Sequence, residues 1–285
     1  MSHDRLMTMV LFHRARNGIL RAPTLSPDQQ RALARMTPVT LVKENHMTHT
    51  EDELRIRLAR VHRILAAGGI WPLTKGHVSV RVPGKEEILI LGHIHAHGRT
   101  LDTTTADDIC AIDYTGKQMA GTVEPVGELY MHTSILSRRP DLNSVLHCHS
   151  TYATALGVAN VNILPVGREG APFFPHVPIL NFDGQIDNAE KGDLLVRALG
   201  DGCAVVLKNH GTVVAADSPE NAAILAFALE DTARLQSIAA TVGKPEGMSE
   251  VEARSTMSGQ RRTEYFNYVW QHYVAMDPHP DADDR

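Results

Sequence analysis

The stretch SVLHCHSTYATALG, Ser144–Gly157, decides how the chain is read. A short apolar run delivers His147-Cys148-His149, and small residues of helical character follow at once. On a strand, residues i and i+2 share a face, so His147 and His149 can converge on one ion while Cys148 points away into packing. The same spacing also fits a polar strand end facing solvent. A third histidine bears on the choice. In CAVVLKNHGTVVAA (203–216) an apolar strand delivers His210 just before Gly211, where a side chain can be aimed into a cleft. Three neutral imidazoles around a divalent ion leave a positive centre with vacant coordination positions, which is what a catalytic metal requires. Glu128 lies four residues before His132, on the same face of the helix this region predicts. A carboxylate there can serve as a fourth ligand or a proton-transfer group, or can be a solvated helix-face residue.

Bulk properties limit the alternatives. A chain of 285 residues, 43% hydrophobic and 21% charged, is long enough for one large domain with a substantial core. A net charge of -5 gives no electrostatic reason to expect nucleic acid, and no apolar run approaches the ~20 residues that span a bilayer. Small molecules and copies of the same chain are the expected partners. Cys110, Cys148 and Cys203 lack CxxC spacing, so neither a disulfide framework nor a cysteine-rich zinc module is indicated, and a reducing, cytoplasmic setting fits. Chemistry is to be sought among the 16 histidines, several of which fall in tight local groups.

Residues 1–46 read as an N-terminal extension or arm. Arg5, Arg14, Arg16, Arg21, Arg31, Arg35 and Lys43 are opposed only by Asp4, Asp28 and Glu44. The segment reads as an arm on a neighbouring subunit or an extension upstream of the true start, in preference to a transit-type signal. The catalytic domain is expected over 47–275, and 276–285 as a disordered acidic tail. Thr50 and Glu53 predict a capping box, followed by Leu54, Leu58, Val61, Ile64 and Leu65 at helical spacing up to Gly68-Gly69. KGHVSVRVPGKEEILIL (75–91) predicts a β-hairpin with His77, Ser79 and Arg81 on one strand face. Further strands are expected over 144–147, 161–166 and 203–207, with helices over 188–199, 219–240 and 249–273. Helices interleaved with short strands argue an α/β layered fold.

The runs GELYMHTSILSRRPDLNSVLHCHSTYATALG (127–157) and LKNHGTVVAA (207–216), with KGHVSVR (75–81) before them, resemble the class II aldolase/adducin family. The resemblance extends from about Glu51 to Ala240. It implies a three-layer αβα fold around a mixed, largely antiparallel sheet, and rings of four subunits with active sites near subunit boundaries. It makes His147, His149 and His210 the ligands of a divalent metal ion (zinc, manganese, iron or cobalt), and Glu128 the acidic residue that ligates the metal or shuttles protons.

The family's reactions share one theme, stabilisation of the negative charge left on carbon when a neighbouring bond breaks. Adducin-like members, which have lost the metal ligands, are binding proteins; this chain keeps all three histidines and the glutamate. Where sugar-phosphate aldolases have Gly-Asn-x-Ser, it has Gly76-His77-Val78-Ser79. Where they have a Ser-Ser pair before the acidic residue, it has Val126-Gly127, and Thr103-Thr104-Thr105-Ala106 stands in place of their Ser-Gly turn. Removing hydroxyl donors disfavours a phosphate dianion, which needs several convergent donors. GHVSVRVPG (76–84) is similar instead to the decarboxylase-like branch. The leading expectation is non-oxidative decarboxylation of a hydroxylated aromatic or heteroaromatic carboxylate, as in aromatic compound catabolism, with the metal chelating hydroxyl and carboxylate. Glu128 or His77 would return a proton to the ring. Arg81 would clamp a carboxylate, with Ser79, His95 and Tyr152 as further substrate contacts. Retro-aldol cleavage of a non-phosphorylated hydroxy-keto acid, or a related dehydration, is the alternative. His93, His95 and His97 in GHIHAHG (92–98) match strand alternation, yet have no counterpart in the family's metal site and are expected in a loop at the pocket mouth.

Overall fold

Thr50 opens helix α1 (Glu51–Ala67) with the predicted capping box: its hydroxyl accepts from the Glu53 amide, and the Glu53 carboxylate accepts from the Thr50 amide. The computed structural model describes residues 49–70, 76–182, 184–258 and 260–282. The arm expected over 1–46 lies outside the described residues. Leu54, Leu58, Val61, Ile64 and Leu65 all turn inward from α1, as their spacing requires.

The strands are β1 (Gly76–Arg81), β2 (Glu87–Leu91), β3 (Ile109–Asp113), β4 (Gln118–Ala120), β5 (Ser144–Cys148), β6 (Ile179–Leu180), β7 (Ala204–Leu207) and β8 (Gly211–Ala216). They form one sheet in the order β4-β3-β2-β1-β5-β8-β7-β6. The β6–β7 pair is parallel and the other pairs are antiparallel, so the sheet is mixed and largely antiparallel, as expected. Alternation along the strands feeds two cores. Val78, Leu89, Leu146 and Val214 pack on the side of α1 and of α5 (Pro219–Ala239). Ile88, Val145 and Val213 pack on the other side, under α2 (Leu129–Arg138) and α4 (Ala189–Leu199). Helix, sheet, helix is the predicted three-layer arrangement. Helix α3 (Thr151–Val158) follows β5, and α6 (Glu250–Met257) and α7 (Gln260–Val274) complete the chain. No helix among the described residues is long and apolar enough to cross a membrane.

Three local expectations need correction. Residues 161–166 form no strand: Pro165 cannot donate to a ladder, and only Ile163 makes an isolated bridge, to Val177. His93, His95 and His97 do lie off the strands, as expected, in and before a 3-10 turn (Ile94–His97), so strand alternation does not align them. The helix expected over 249–273 is two helices, with Ser258 in extended conformation ending the first. The acidic C-terminal segment, expected to be disordered from residue 276, is anchored at its start. Arg63 donates Nε and Nη2 to the two carboxylate oxygens of Asp277, each at 2.9 Å, and Nη1 to the Thr104 carbonyl at 2.8 Å. Both side chains are fully buried.

A second buried polar device ties α1 to the sheet. His62 Nδ1 donates to the Leu58 carbonyl (2.7 Å), and Nε2 accepts from the Val78 amide (3.1 Å). Burial lowers its pKa to about 4, so the ring is neutral.

Both devices can be tested by unfolding. Breaking a buried ion pair by removing one partner leaves an uncompensated charge, so Asp277→Ala should cost about 3–5 kcal/mol in urea unfolding, whereas a freely moving tail would leave stability unchanged. The unfolded chain protonates His62 near its ordinary value of about 6.5, while the folded chain resists down to about 4. Stability should therefore fall as pH drops through that window and level off above it, and a His62→Leu variant should show a shallower slope.

Candidate metal centre

The ladder brings the site together at one end of the sheet. His77 of β1 is the cross-strand partner of His147 of β5, and His147 that of Val213 in β8. His149 lies two residues beyond His147, just past the strand, and His210 one residue before β8. The loop holding His210 turns sharply: Asn209 has φ of 60°, a left-handed conformation that asparagine tolerates, and the His210 amide donates to the Leu207 carbonyl at 3.0 Å. Gly211 is required next. A Cβ there would stand 2.4 Å from the Cys148 carbonyl oxygen and 3.1 Å from the His149 ring.

The three rings of His147, His149 and His210 are nearly equidistant, with centroids 4.8, 4.9 and 4.9 Å apart and planes at 71°, 75° and 85°. Their near-perpendicular arrangement points the ring edges at a common centre. His147 Nδ1 lies 2.9 Å from the Thr212 carbonyl. A carbonyl can only accept, so the proton is on Nδ1 and the lone pair on Nε2 faces the centre. His147 Nε2 is 2.9 Å from His149 Nε2. Burial first, then the neighbouring imidazoles, hold His147 and His77 well below the usual histidine range, so both rings are neutral. Neutral imidazole is the form that binds metal.

Glu128 supplies the carboxylate. It is the N-cap of α2, not a residue within the helix, and its side chain makes no capping bond. Its Oε2 is 3.6 Å from His210 Nε2 and 3.8 Å from His147 Nε2. Oε1 is buried with no hydrogen-bond partner. Ligand atoms of His147, His149 and His210 all lie within 4.8 Å of one another, as do those of His77, Glu128 and His147. Tetrahedral ligand atoms around an ion with bonds of about 2.0–2.1 Å stand about 3.3–3.4 Å apart, a separation that the nitrogen pair at 2.9 Å would reach by a small opening. An orphaned buried carboxylate oxygen beside three converging imidazoles fits a divalent cation, which would satisfy it.

Cys148 turns away as predicted, with Sγ 3.2 Å from Thr212 Oγ1. Glu230 holds the turn after His149, accepting from the Tyr152 and Ala153 amides at 2.8 and 3.0 Å. Tyr152 itself is 39% exposed at the start of α3, so its side chain is not buried in the cluster. Ser79, expected at the substrate, is fully buried, with Oγ 2.6 Å from His132 Nδ1. Arg81 is not a carboxylate clamp. Its guanidinium is committed to the Tyr114 hydroxyl and to the carbonyls of Leu136, Arg139 and Leu142, where it caps the C-terminus of α2. His95 is exposed, its Nδ1 donating to the Arg99 carbonyl at 3.0 Å, and among the described residues it belongs to neither candidate metal group.

A model of the class II aldolase and adducin N-terminal domain matches residues 56–237, the region that carries all of these ligands. The chain belongs to the class II aldolase and adducin family. Family relatives include a 3,4-dihydroxyphthalate decarboxylase of Arthrobacter keyseri, 27% identical across 80% of this chain and 95% of that one. An L-fuculose phosphate aldolase of Methanococcus vannielii is 30% identical over 54% of this chain and 82% of its own. The crystal structure of an aldolase II superfamily protein from Pseudomonas syringae has the same fold, with a TM-score of 0.70 at 23% identity, covering 84% of this chain and 98% of that one. Members of this class carry lyase chemistry, and the His/Glu group gives this chain a possible metal site.

Sequence reasoning misses two residues. From spacing, His132 is only a helix-face companion of Glu128; in the fold it is fully buried and bonded to both Ser79 and His77. The shared strand face of His77 and Ser79 is the available signal. Phe182, whose ring centroid lies 6.2 Å from that of His210, has none.

The centre yields a direct expectation. His147→Ala and His210→Ala should each lose stoichiometric zinc or manganese in metal analysis after dialysis, while His95→Ala should retain it. Equal retention by all three variants would place the metal elsewhere.

Proposed function

We propose that the chain is a metal-dependent, non-oxidative decarboxylase of an aromatic or heteroaromatic acid that carries a hydroxyl beside its carboxylate. The observation that carries this reading is the orphaned Glu128 carboxylate oxygen beside three converging imidazoles. A divalent ion held by His147, His149 and His210 would supply the positive charge that draws electron density away as a carbon–carbon bond breaks. In this reading Glu128 carries the proton. When carbon dioxide leaves, the electron pair of the broken bond stays on the ring carbon, Glu128 gives that carbon a proton, and solvent restores the proton to Glu128.

Two further observations favour this reaction over aldol cleavage of a sugar phosphate. Val126, where the aldolase pattern has a hydroxyl, packs against the core that includes α2, and Gly127 offers only main chain. Similarity to the dihydroxyphthalate decarboxylase covers 80% of this chain, against 54% for the fuculose phosphate aldolase. Zinc, manganese, iron or cobalt would suit the donor set, and a cytoplasmic homotetramer acting in aromatic compound catabolism belongs to the same proposal.

The test is a screen of ortho-hydroxylated aromatic mono- and dicarboxylates with metal-loaded protein, following carbon dioxide release. Turnover should give carbon dioxide and one aromatic product, and Glu128→Gln should lower kcat by roughly 10²–10⁴, the usual worth of a general acid–base group. Two carbonyl fragments from a hydroxy-keto acid would establish the aldolase alternative, and activity confined to phosphorylated sugars would overturn the proposal.

A further inference from the structure

Helices α1 to α6 fall into two groups at their N-termini. In α1, α4, α5 and α6 the residue before the helix caps it: the side chains of Thr50, Asn188, Ser218 and Ser249 each accept from the amide three residues on. Helices α2 and α3 receive no such bond from Glu128 or Ser150. These are the two helices that begin at the candidate metal centre, α2 directly after Glu128 and α3 two residues after His149.

Helix α3 is capped from a distance instead. Glu230, in the middle of α5, accepts from the Tyr152 amide through Oε1 (2.8 Å) and from the Ala153 amide through Oε2 (3.0 Å). With Ser150 as the N-cap, these are the second and third helical positions, the two amides that a local cap would serve. A carboxylate does this with charge as well, because it meets the positive end of the helix dipole. The guanidinium one turn further along α5 is engaged elsewhere: Arg234 donates Nε to Asp231 Oδ1 at 3.1 Å, and Nη2 to the same oxygen.

An eight-residue helix is too short to stand without outside contacts, and α5 meets α3 at both ends. Beyond its C-terminus, Gln236 accepts from the Leu164 amide (2.7 Å) and donates to the Asn162 carbonyl (2.9 Å). In between, Gly157 lies so close to β7 that a Cβ would stand 2.5 Å from Val206 Cγ1. Leu229 and Ala233, on either side of Glu230, seat α5 in the core. The first turn of α3 is thus pinned to a rigid frame.

What depends on that turn is His149. His147 lies inside β5, and His210 is fixed by its amide bond to the Leu207 carbonyl and by β8, which follows at once. His149 lies past the end of the ladder, with only Ser150 between it and α3. The direction in which its side chain leaves the backbone is set by β5 on one side and by the start of α3 on the other. There is little slack, since a Cβ at Gly211 would already stand 3.1 Å from the His149 ring.

We infer that Glu230 is a positioning residue of the metal centre: by holding the first turn of α3 it fixes His149 in the triad, and so sets affinity for the ion without touching it. This role rests on the triad that the proposed decarboxylase uses, and not on which reaction follows.

The experiment measures zinc affinity of the full chain by competition with a chromophoric chelator, beside urea unfolding of the zinc-free protein. Wild type, Glu230→Ala, Glu230→Gln and Thr50→Ala are compared. Thr50 caps α1 next to Glu51, which pairs with Lys85 in the β1–β2 turn, the end of β1 away from His77. Glu230→Ala should bind zinc roughly 10–100-fold more weakly, the range for losing a group that orients a ligand. Glu230→Gln keeps the shape and one acceptor oxygen, and should recover part of that loss. Thr50→Ala should lose stability yet bind zinc as the wild type does. Unchanged affinity in both Glu230 variants, or an equal fall in Thr50→Ala, would reduce Glu230 to an ordinary helix cap and overturn the inference. If Glu230→Ala does not fold, Glu230→Gln and amide hydrogen exchange decide. The Tyr152 and Ala153 amides should exchange slowly in the zinc-free wild type and faster in Glu230→Gln, and rapid exchange in the wild type overturns the inference. A wild type that binds no zinc would remove the metal centre and this role together, whereas a zinc-binding protein that releases no carbon dioxide would count against the decarboxylase reading alone.

Discussion

Two histidines directly opposite each other in the middle of a sheet, His77 and His147, make sense only if neither is charged. Like charges on paired strand positions repel, and a buried imidazolium without a carboxylate partner is costly. Both are held neutral by burial and by their neighbouring imidazoles. The neutral ring is at once the form the sheet tolerates and the form that coordinates a cation. Everything else at the site serves that requirement. The Thr212 carbonyl sets one ring's tautomer, His132 engages the other, and the tight turn at Asn209 and Gly211 lets His210 close the triad without displacing β5.

The fold and the convergence of His147 with His149 are legible in the sequence because each follows from a local period. The i, i+2 rule puts His147 and His149 on one face, and the same rule puts His77 beside Ser79. The capping box at Thr50 locates α1 to the residue. What is not legible depends on where an element starts or how far along it a residue lies. Glu128 and His132 are four apart, but α2 begins after Glu128, so the two side chains part: one goes to the triad and the other beneath β1. Arg81 does share a face with His77, yet four strand residues separate them by about 13 Å, and the guanidinium meets the open carbonyls of α2 long before any substrate. His93, His95 and His97 carry the right alternation, but between Gly92 and Gly98 the chain turns instead of extending. Partners brought from distant segments, Thr212 and Glu230 among them, leave no mark on a single sequence.

With Arg81 bound to carbonyls and to Tyr114, the proposed reading leaves recognition of a substrate to the candidate metal centre. Val126 is drawn into the core by the same apolar demand that seats Ile135 and Leu195. The position that would offer a hydroxyl beside the acidic residue is therefore spent on packing. A ligand that binds mainly through two oxygens on adjacent carbons asks little else of the protein, whereas a phosphate dianion asks for several donors at a second point.

The polar groups at this end of the sheet break the ordinary rule that buried donors and acceptors are paired. Glu128 Oε1 and His210 Nδ1 both stand without partners, each at a cost of about 1–3 kcal/mol. His62, Arg63 and Asp277, which tie α1 to the rest of the domain, behave in the opposite way: His62 has both nitrogens bonded, and Arg63 and Asp277 pair with each other in full burial. The two behaviours belong together. Strong pairing around α1 and at the C-terminal segment lets the domain hold an unsatisfied carboxylate beside three imidazole rings. That local deficit is what a cation would relieve, so stability conceded at the centre would return as affinity for an ion held there.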